Sequence, residues 1–454
     1  MFQTFKNAFK VPDLRKKILF TLFIILLYRV GSAIPVPFVE ATTLEFYNNE
    51  MITGQTGIFS MLNTLSGGAM AQATLFALGV QPYINASIII QLLTIAIPAL
   101  ERLSKEGEEG KKKLNTITRF VTVGLALVMS IGYYMLLKNN AITGFPLPPL
   151  ADLGEYWWFG MLVIVACYCA GASLVMWLAE KINEGGIGNG ISIILFANII
   201  ARLPHAVASV WRIAYSFFVQ GTVMGYVWGV LFALGVAAVM VALVGFVIFV
   251  TESERKIPVQ YAKRVVGRKM YGGQSSTLPI KLNMTGVMPI IFASTICSLP
   301  STIMMFINPK PSAGIGMYIY NFFDFVFNPQ KLVYVIIYLV LIIAFAYFYV
   351  AISFNPVEVS NNIKKNGGFI PGIRPGKPTS DYISKILSKI TLIGAIFLAI
   401  IAIFPMILNI ISPNMFGSIA FGGSSLLIVV GVALETAREI EAQMTMRHYK
   451  GFLD

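Results

Sequence analysis

The chain has 454 residues, of which 56% are hydrophobic and 12% charged, with a net charge of +13. Soluble domains carry about 25% charged residues, so this composition, with a mean hydropathy of +0.74, excludes a soluble globular domain and indicates a polytopic membrane protein. In such a chain the basic excess is read from its placement in loops before a nucleic-acid partner is inferred.

Ten apolar spans are predicted, at about 18–35, 74–98, 117–137, 157–179, 190–211, 225–250, 285–307, 332–354, 386–411 and 420–438. The first follows a basic start and ends without a small-residue cleavage site, so it reads as an anchored span rather than a removed signal peptide. Before the second lies a shorter apolar piece, 57–66, with Ile58, Phe59, Met61, Leu62 and Leu65 at helical spacing. Ten residues reach only ~15 Å, half of a ~30 Å bilayer core. Gly67 and Gly68 break it. A half-length helix must sit against protein or a water-filled cavity, because lipid cannot satisfy its broken backbone. Such an arrangement implies a path to block.

Lys and Arg alternate between sides. Lys6, Lys10, Arg15, Lys16 and Lys17 precede span 1, whereas 36–73 has no basic residue. Segment 99–119 carries six basic residues and 138–156 only Lys138. Segments 251–284 and 355–385 together carry twelve, whereas 308–331 has only Lys310 and Lys331. Segments 180–189 and 202–224 are uninformative. The alternation predicts cytoplasmic termini and a half-helix entering from the outer side. Five crossings per half place the second half upside down, the condition for an inverted repeat. GVQPYINAS at the start of span 2 and GVMPIIFAS at the start of span 7 match locally, with Gly79 and Pro82 corresponding to Gly286 and Pro289.

Little in the spans carries chemistry. The acidic residues lie in loops, termini or span ends, and there is no HExxH, GxSxG or Walker-type loop. Cys167, Cys169 and Cys297 show neither metal nor disulfide spacing and read as small packing residues. Arg29, near the end of span 1, reads as a snorkelling side chain. On span 2, Ile84, Ile88, Gln91 and Ile95 share one helical face, as Ile191 and Leu195 do on span 5; spacing alone favours packing stripes. The long basic loops suit anionic lipid, protein docking or RNA. The Gly- and Pro-rich NGGFIPGIRPGKP, 366–378, favours a structured tip.

Several long stretches, SGGAMAQATLFALGVQPYINASIIIQLL, EGGIGNGISIILFANI, LPIKLNMTGVMPIIFAS, GGFIPGIRPGKPT and FGGSSLLIVVGV, closely resemble the SecY family, channel subunits of the bacterial protein-conducting translocon. The resemblance covers nearly the whole chain in order. It implies an all-α polytopic clamshell of two inverted five-helix halves, 1–212 and 213–454, hinged near 202–224. It also implies a re-entrant plug helix at about 58–70, with Ile58, Phe59, Met61, Leu62, Leu65, Ser66, Gly67 and Gly68 as its residues. A ring of aliphatic side chains at the waist falls on Ile84, Ile88, Ile191, Leu195, Ile291 and Ile428. A lateral gate between spans 2 and 7 involves Ser87, Gln91, Thr94, Asn283 and Thr295. Arg255, Lys256, Lys263, Arg264 and Arg374 are the expected docking residues for cytoplasmic partners. The implied function is passage of unfolded secretory polypeptides, and sideways release of apolar segments, through the bacterial plasma membrane. No catalysis, metal or cofactor is expected. The expected partners are SecE-like and SecG-like subunits, a SecA-type motor ATPase, the ribosome, signal peptides with unfolded preproteins, and anionic lipids. A small-solute secondary transporter also uses inverted repeats but predicts polar ligands at mid-span; an intramembrane enzyme predicts paired acids, a nucleophile with a base, or metal ligands.

Overall fold

A computed structural model describes residues 9–39, 63, 65–138, 150, 156–219, 223–261, 264–266, 269–271, 275–306, 315–328, 331–411 and 423–450. Each predicted span has a helix at its place. The N-terminal five are α1 (Pro12–Gly31), α2 (Gln81–Ala96), α4 (Glu108–Lys138), α5 (Trp157–Gly185) and α6 (Gly190–Ala201), with α3 (Pro98–Lys105) between α2 and α4. At twelve residues α6 reaches only ~18 Å, but α7 (Leu203–Phe218) continues it after a break at Arg202. The chain then forms α8 (Val223–Glu252), four strands, α9 (Met288–Phe306), α10 (Ile315–Phe327), α11 (Leu332–Ser353), α12 (Pro356–Lys365), β5 (Gly368–Phe369), α13 (Lys377–Ile411) and α14 (Gly423–Lys450).

Among the described residues six helices, or seven if a bent pair counts as one, are long and apolar enough to cross a membrane. α1 is apolar in its middle and α14 in its N-terminal half, but both carry charge within their length, and α9 is interrupted by Pro300. The bent pair is α2 and α3, which meet at 102°. The cause is Pro98. Proline disfavours helical backbone in the residue before it, and Ile97 accordingly adopts φ −109°, ψ 113°.

One expectation is corrected. Span 2 does not begin at 74: residues 66–80 form buried turns, and α2 starts at Gln81. The turns are held by partners outside the helix-forming window. Val36 N–H donates to the Ala73 carbonyl at 3.3 Å and Leu75 N–H to the Ile34 carbonyl at 2.9 Å. The Tyr133 hydroxyl of α4 donates to the Met70 carbonyl, and Tyr168 of α5 to that of Ala73. The helical fold is as expected, and a small antiparallel sheet accompanies it between α8 and α13. β1 (Glu254–Tyr261) and β4 (Ser275–Lys281) pair antiparallel, with the short β2 (Arg264–Val266) and β3 (Lys269–Tyr271) paired beyond them. Ile257, Val259 and Ile280 alternate inward from exposed neighbours, the period-two pattern of a half-buried sheet. β5 adds to the other edge of β1 through Gln260↔Phe369 and Tyr261↔Gly368. The two long basic loops are therefore one folded unit, packed on α12 and α13 through Ile363, Ile370 and Ile383.

The matched glycines of spans 2 and 7 share a backbone state. Gly79 has φ 53° and Gly286 φ 61°, both left-handed, and each precedes a helix with proline at its second residue. The local sequence match is thus a structural match.

Candidate functional site

The main core is one cluster to which helices from both ends of the chain contribute. All six residues of the expected ring belong to it. Ile84, Ile88, Leu195 and Ile428 are buried, and Ile191 and Ile291 are partly buried against them. They come from α2, α6, α9 and α14, and α6 packs against α14 as α9 does against α2. Asn189 starts α6 by accepting from the Ile191 N–H at 3.1 Å, which fixes where Ile191 and Leu195 point. On α2 the apolar stripe divides: Ile84 and Ile88 are buried, whereas Gln91 and Ile95 are exposed as the helix nears its bend.

A cavity of about 390 Å³ adjoins this cluster on the side of the β-sheet. Ile291 and Ile428 form part of its wall, with Asn189, Ser192, Asn283 and Glu435. Lys281 and Arg438 lie at its rim. Partial burial, then the neighbouring Arg438, hold the Lys281 ammonium below the ordinary lysine range, while Glu254 and Glu252 oppose them. Arg438 reaches Glu252 at 4.0 Å and the Thr251 carbonyl at 3.5 Å. The cavity is thus lined by polar and apolar side chains together and shares Ile291 and Ile428 with the aliphatic cluster.

Of the expected gate residues, Ser87, Gln91 and Thr94 lie on α2 and Thr295 on α9, two helices that pack against each other. Ser87 and Thr94 on α2 are half-buried, Thr295 on α9 is buried, and Asn283 lies before α9 on the cavity wall, accepting from the Thr285 hydroxyl at 3.4 Å. α9 also packs against α4.

Of the expected plug residues, Ile58, Phe59, Met61 and Leu62 lie outside the described residues. Leu65, Ser66, Gly67 and Gly68 are described. Gly67 (φ 70°) and Gly68 (φ 95°) require left-handed backbone, the reason for glycine at both. Around them Gly68 N–H donates to the Asn63 carbonyl at 2.8 Å, Met70 N–H to Ser66 Oγ at 3.1 Å and Ala71 N–H to Asn63 Oδ1 at 3.0 Å.

Arg29 does not simply snorkel. Its guanidinium donates to the Ala197 carbonyl of α6. Beside it, the buried amide of Asn198 donates to Tyr28 Oη and to the Leu65 carbonyl. Sequence reasoning missed Asn198 and Tyr28. The available signal was an asparagine and an arginine, each set within an apolar run.

The docking residues sit on the folded basic unit. Arg255 and Lys256 are exposed on β1, and Lys256 is partly neutralised by Glu254 at 3.2 Å. Arg264 lies on β2, and Lys263 is outside the described residues. Arg374 is exposed on a turn closed by the Thr379 hydroxyl donating to its carbonyl at 2.8 Å and the Ser360 hydroxyl donating to that of Gly376.

The sequence profile of the SecY family matches residues 74–437. A protein translocase subunit SecY of Streptomyces coelicolor is 44% identical over 464 aligned positions, covering all of both chains. A solved structure described as a protein-conducting channel superposes with a TM-score of 0.61 at 17% identity, covering 95% of this chain and 92% of that one. Sec61 in a canine ribosome–channel complex superposes at 0.58 with 16% identity, again covering 95% and 92%. Fold, full-length identity and family profile agree: the chain is a multi-pass membrane protein and belongs to the SecY family of protein translocase channel subunits.

Proposed function

We propose that unfolded secretory polypeptides cross the membrane through the ring of Ile84, Ile88, Ile191, Leu195, Ile291 and Ile428, entering from the cavity beside it. One observation carries this: six aliphatic residues from helices at both ends of the chain belong to one cluster that abuts a cavity holding Asn189, Ser192, Asn283 and Glu435 in its wall. Aliphatic groups offer a passing chain no fixed charge and no hydrogen bond, so they grip no particular sequence, and an empty apolar constriction hinders ions by dewetting. A small-solute transporter would need polar ligands where these side chains stand.

The halves 1–212 and 213–454 part at the contact of α2 with α9, near Ser87, Gln91, Thr94, Asn283 and Thr295, and open toward lipid. A segment of ~20 apolar residues then moves sideways, since each Leu or Ile gains a few tenths of a kcal/mol and each central charge costs ~2.5–3.5. The plug at about 58–70 closes the outer side when no chain is present. The membrane is a bacterial plasma membrane with both termini in the cytoplasm, in keeping with the loop charges.

Directional force comes from outside, because the sequence has no nucleotide-binding motif. A SecA-type ATPase or the ribosome docks on Arg255, Lys256, Lys263, Arg264 and Arg374. The ribosome-bound complex of the Sec61 neighbour supports the second. SecE-like and SecG-like subunits brace the clamshell, and anionic lipid faces the basic unit.

The test is a photo-crosslinking residue at Ile191 and, separately, at Leu162, which is 59% exposed on α5. A precursor is stalled midway with its motor and ATP. Crosslinks from 191 and none from 162 are expected. Equal yields at both would reduce the ring to packing.

A further inference from the structure

Asn198 makes hydrogen bonds that neither the ring nor the gate requires. It is fully buried on α6, and its Nδ2 donates at 2.9 Å to Tyr28 Oη and at 2.8 Å to the Leu65 carbonyl. An amide nitrogen has two hydrogens, so both are committed. Its Oδ1 has no hydrogen-bond partner among the described residues. Tyr28 is immobilised in turn, fully buried and stacked on Phe76 with centroids 5.4 Å apart. The Arg29 guanidinium meets the Ala197 carbonyl one residue away. α1 and α6 are thus joined at two consecutive residues, and Leu65 hangs from that junction.

The chain on the far side of Gly67–Gly68 is held by other helices. Tyr133 of α4 takes the Met70 carbonyl and Tyr168 of α5 that of Ala73. Residues 69–80 are buried with few exceptions. The bonds from Gly68, Met70 and Ala71 to Asn63 and Ser66 cross the glycine pair and join the base to this fixed part, whereas Leu65 is tied to α6 through the Asn198 side chain.

We infer that Asn198 is a positioning residue that latches the base of the plug to α6, a tie that must break before the base leaves that helix. This rests on the reading of 57–68 as plug. A latch must be weak enough to yield to an arriving chain. A neutral hydrogen bond shifts an equilibrium by only about twofold to twelvefold, and the unpartnered Oδ1 removes part of what the closed position would otherwise gain.

The test uses the full-length chain assembled with its small membrane subunits, with the three native cysteines replaced and Leu65→Cys as reporter. Alkylation of that thiol by an impermeant maleimide is measured from the outer side, together with resting ion conductance. Asn198→Leu, of similar size and without donors, should raise the alkylation rate on the order of tenfold, the effect of losing one to two neutral hydrogen bonds. Tyr28→Phe, which leaves the Leu65 bond intact, should change it much less. Asn198→Ala removes the amide altogether and carries the same expectation should Asn198→Leu fail to assemble. An unchanged rate in the asparagine variants, or an equal rise with Tyr28→Phe, would overturn the latch and leave a helix-joining amide. Deletion of 57–64 separates the two levels. If it leaves conductance unchanged, the plug reading fails. If it raises conductance while the asparagine variants alter neither signal, the latch alone fails.

Discussion

At the scale of the residue, three glycines separate backbone strain from steric clash. A Cβ at Gly79 would meet its nearest neighbours at 3.6 Å or beyond, and one at Gly286 would meet nothing within 4 Å. Both have left-handed φ, where an L-residue costs roughly 1–2 kcal/mol. Gly79→Ala and Gly286→Ala should therefore each lower thermal stability in detergent by a similar, modest amount, as the same turn used twice demands. Gly171 has no such φ, but a Cβ there would stand 2.0 Å from the Leu75 carbonyl oxygen. Backbone cannot step aside as a side chain does, so Gly171→Ala should lose most of the monodisperse protein on detergent chromatography. A melting point unchanged by Gly171→Ala would show that α5 does not lie against residue 75. The Gly79/Gly286 pair was legible in the repeated GVxPxI. The contact at Gly171 was not, because a glycine inside an apolar run looks the same whether or not a carbonyl lies against it.

At the scale of the element, hydropathy located a helix at every predicted span, because burial in lipid demands it. The connections were less legible. Residues 74–80 are as apolar as α2, yet they are turns: the stretch just before them is pinned at the Met70 and Ala73 carbonyls by Tyr133 and Tyr168 from distant helices, and Leu75 N–H donates to the Ile34 carbonyl. The charged segment 251–284 reads as a loop by composition, but its inward Ile257, Val259 and Ile280 make it a sheet. Sheet pairing to β5 carries Arg374 on the same rigid body as Arg255 and Lys256. That rigidity sharpens the docking prediction. Arg374 is exposed and shows no ion pair among the described residues, so Arg374→Glu should leave the unit folded. On a preorganised surface, reversing a charge that becomes buried on docking costs more than ~2 kcal/mol. Motor-driven transport into inverted vesicles should fall at least tenfold (a factor of ten is ~1.4 kcal/mol), with subunit copurification unchanged. Normal transport would remove Arg374 from the docking surface.

At the scale of the whole molecule, the two halves are joined unequally. On one side the chain itself connects them through α7 and α8, which pack on each other. On the other, α9 meets α2 and α4 without a covalent link. α6 and α14 close the interior between them. On the proposed function, a body hinged on its covalent side would open at its non-covalent side, and the ring and the opening toward lipid would share one motion. Tethering α2 to α9 should then block both, whereas the ring and cavity stay intact. Gln91→Cys and Thr295→Cys place one thiol on each helix, after replacement of Cys167, Cys169 and Cys297, none of which is bridged. A short permeant bis-maleimide should abolish protease protection of a secretory precursor and also membrane insertion of an apolar anchor. A long one should restore passage and leave anchor insertion impaired, because a flexible tether permits separation but obstructs the exit. If the short tether stopped insertion and left secretion untouched, the ring would widen without the halves parting, and the single hinge would have to be replaced by separate movements of α2 and α9.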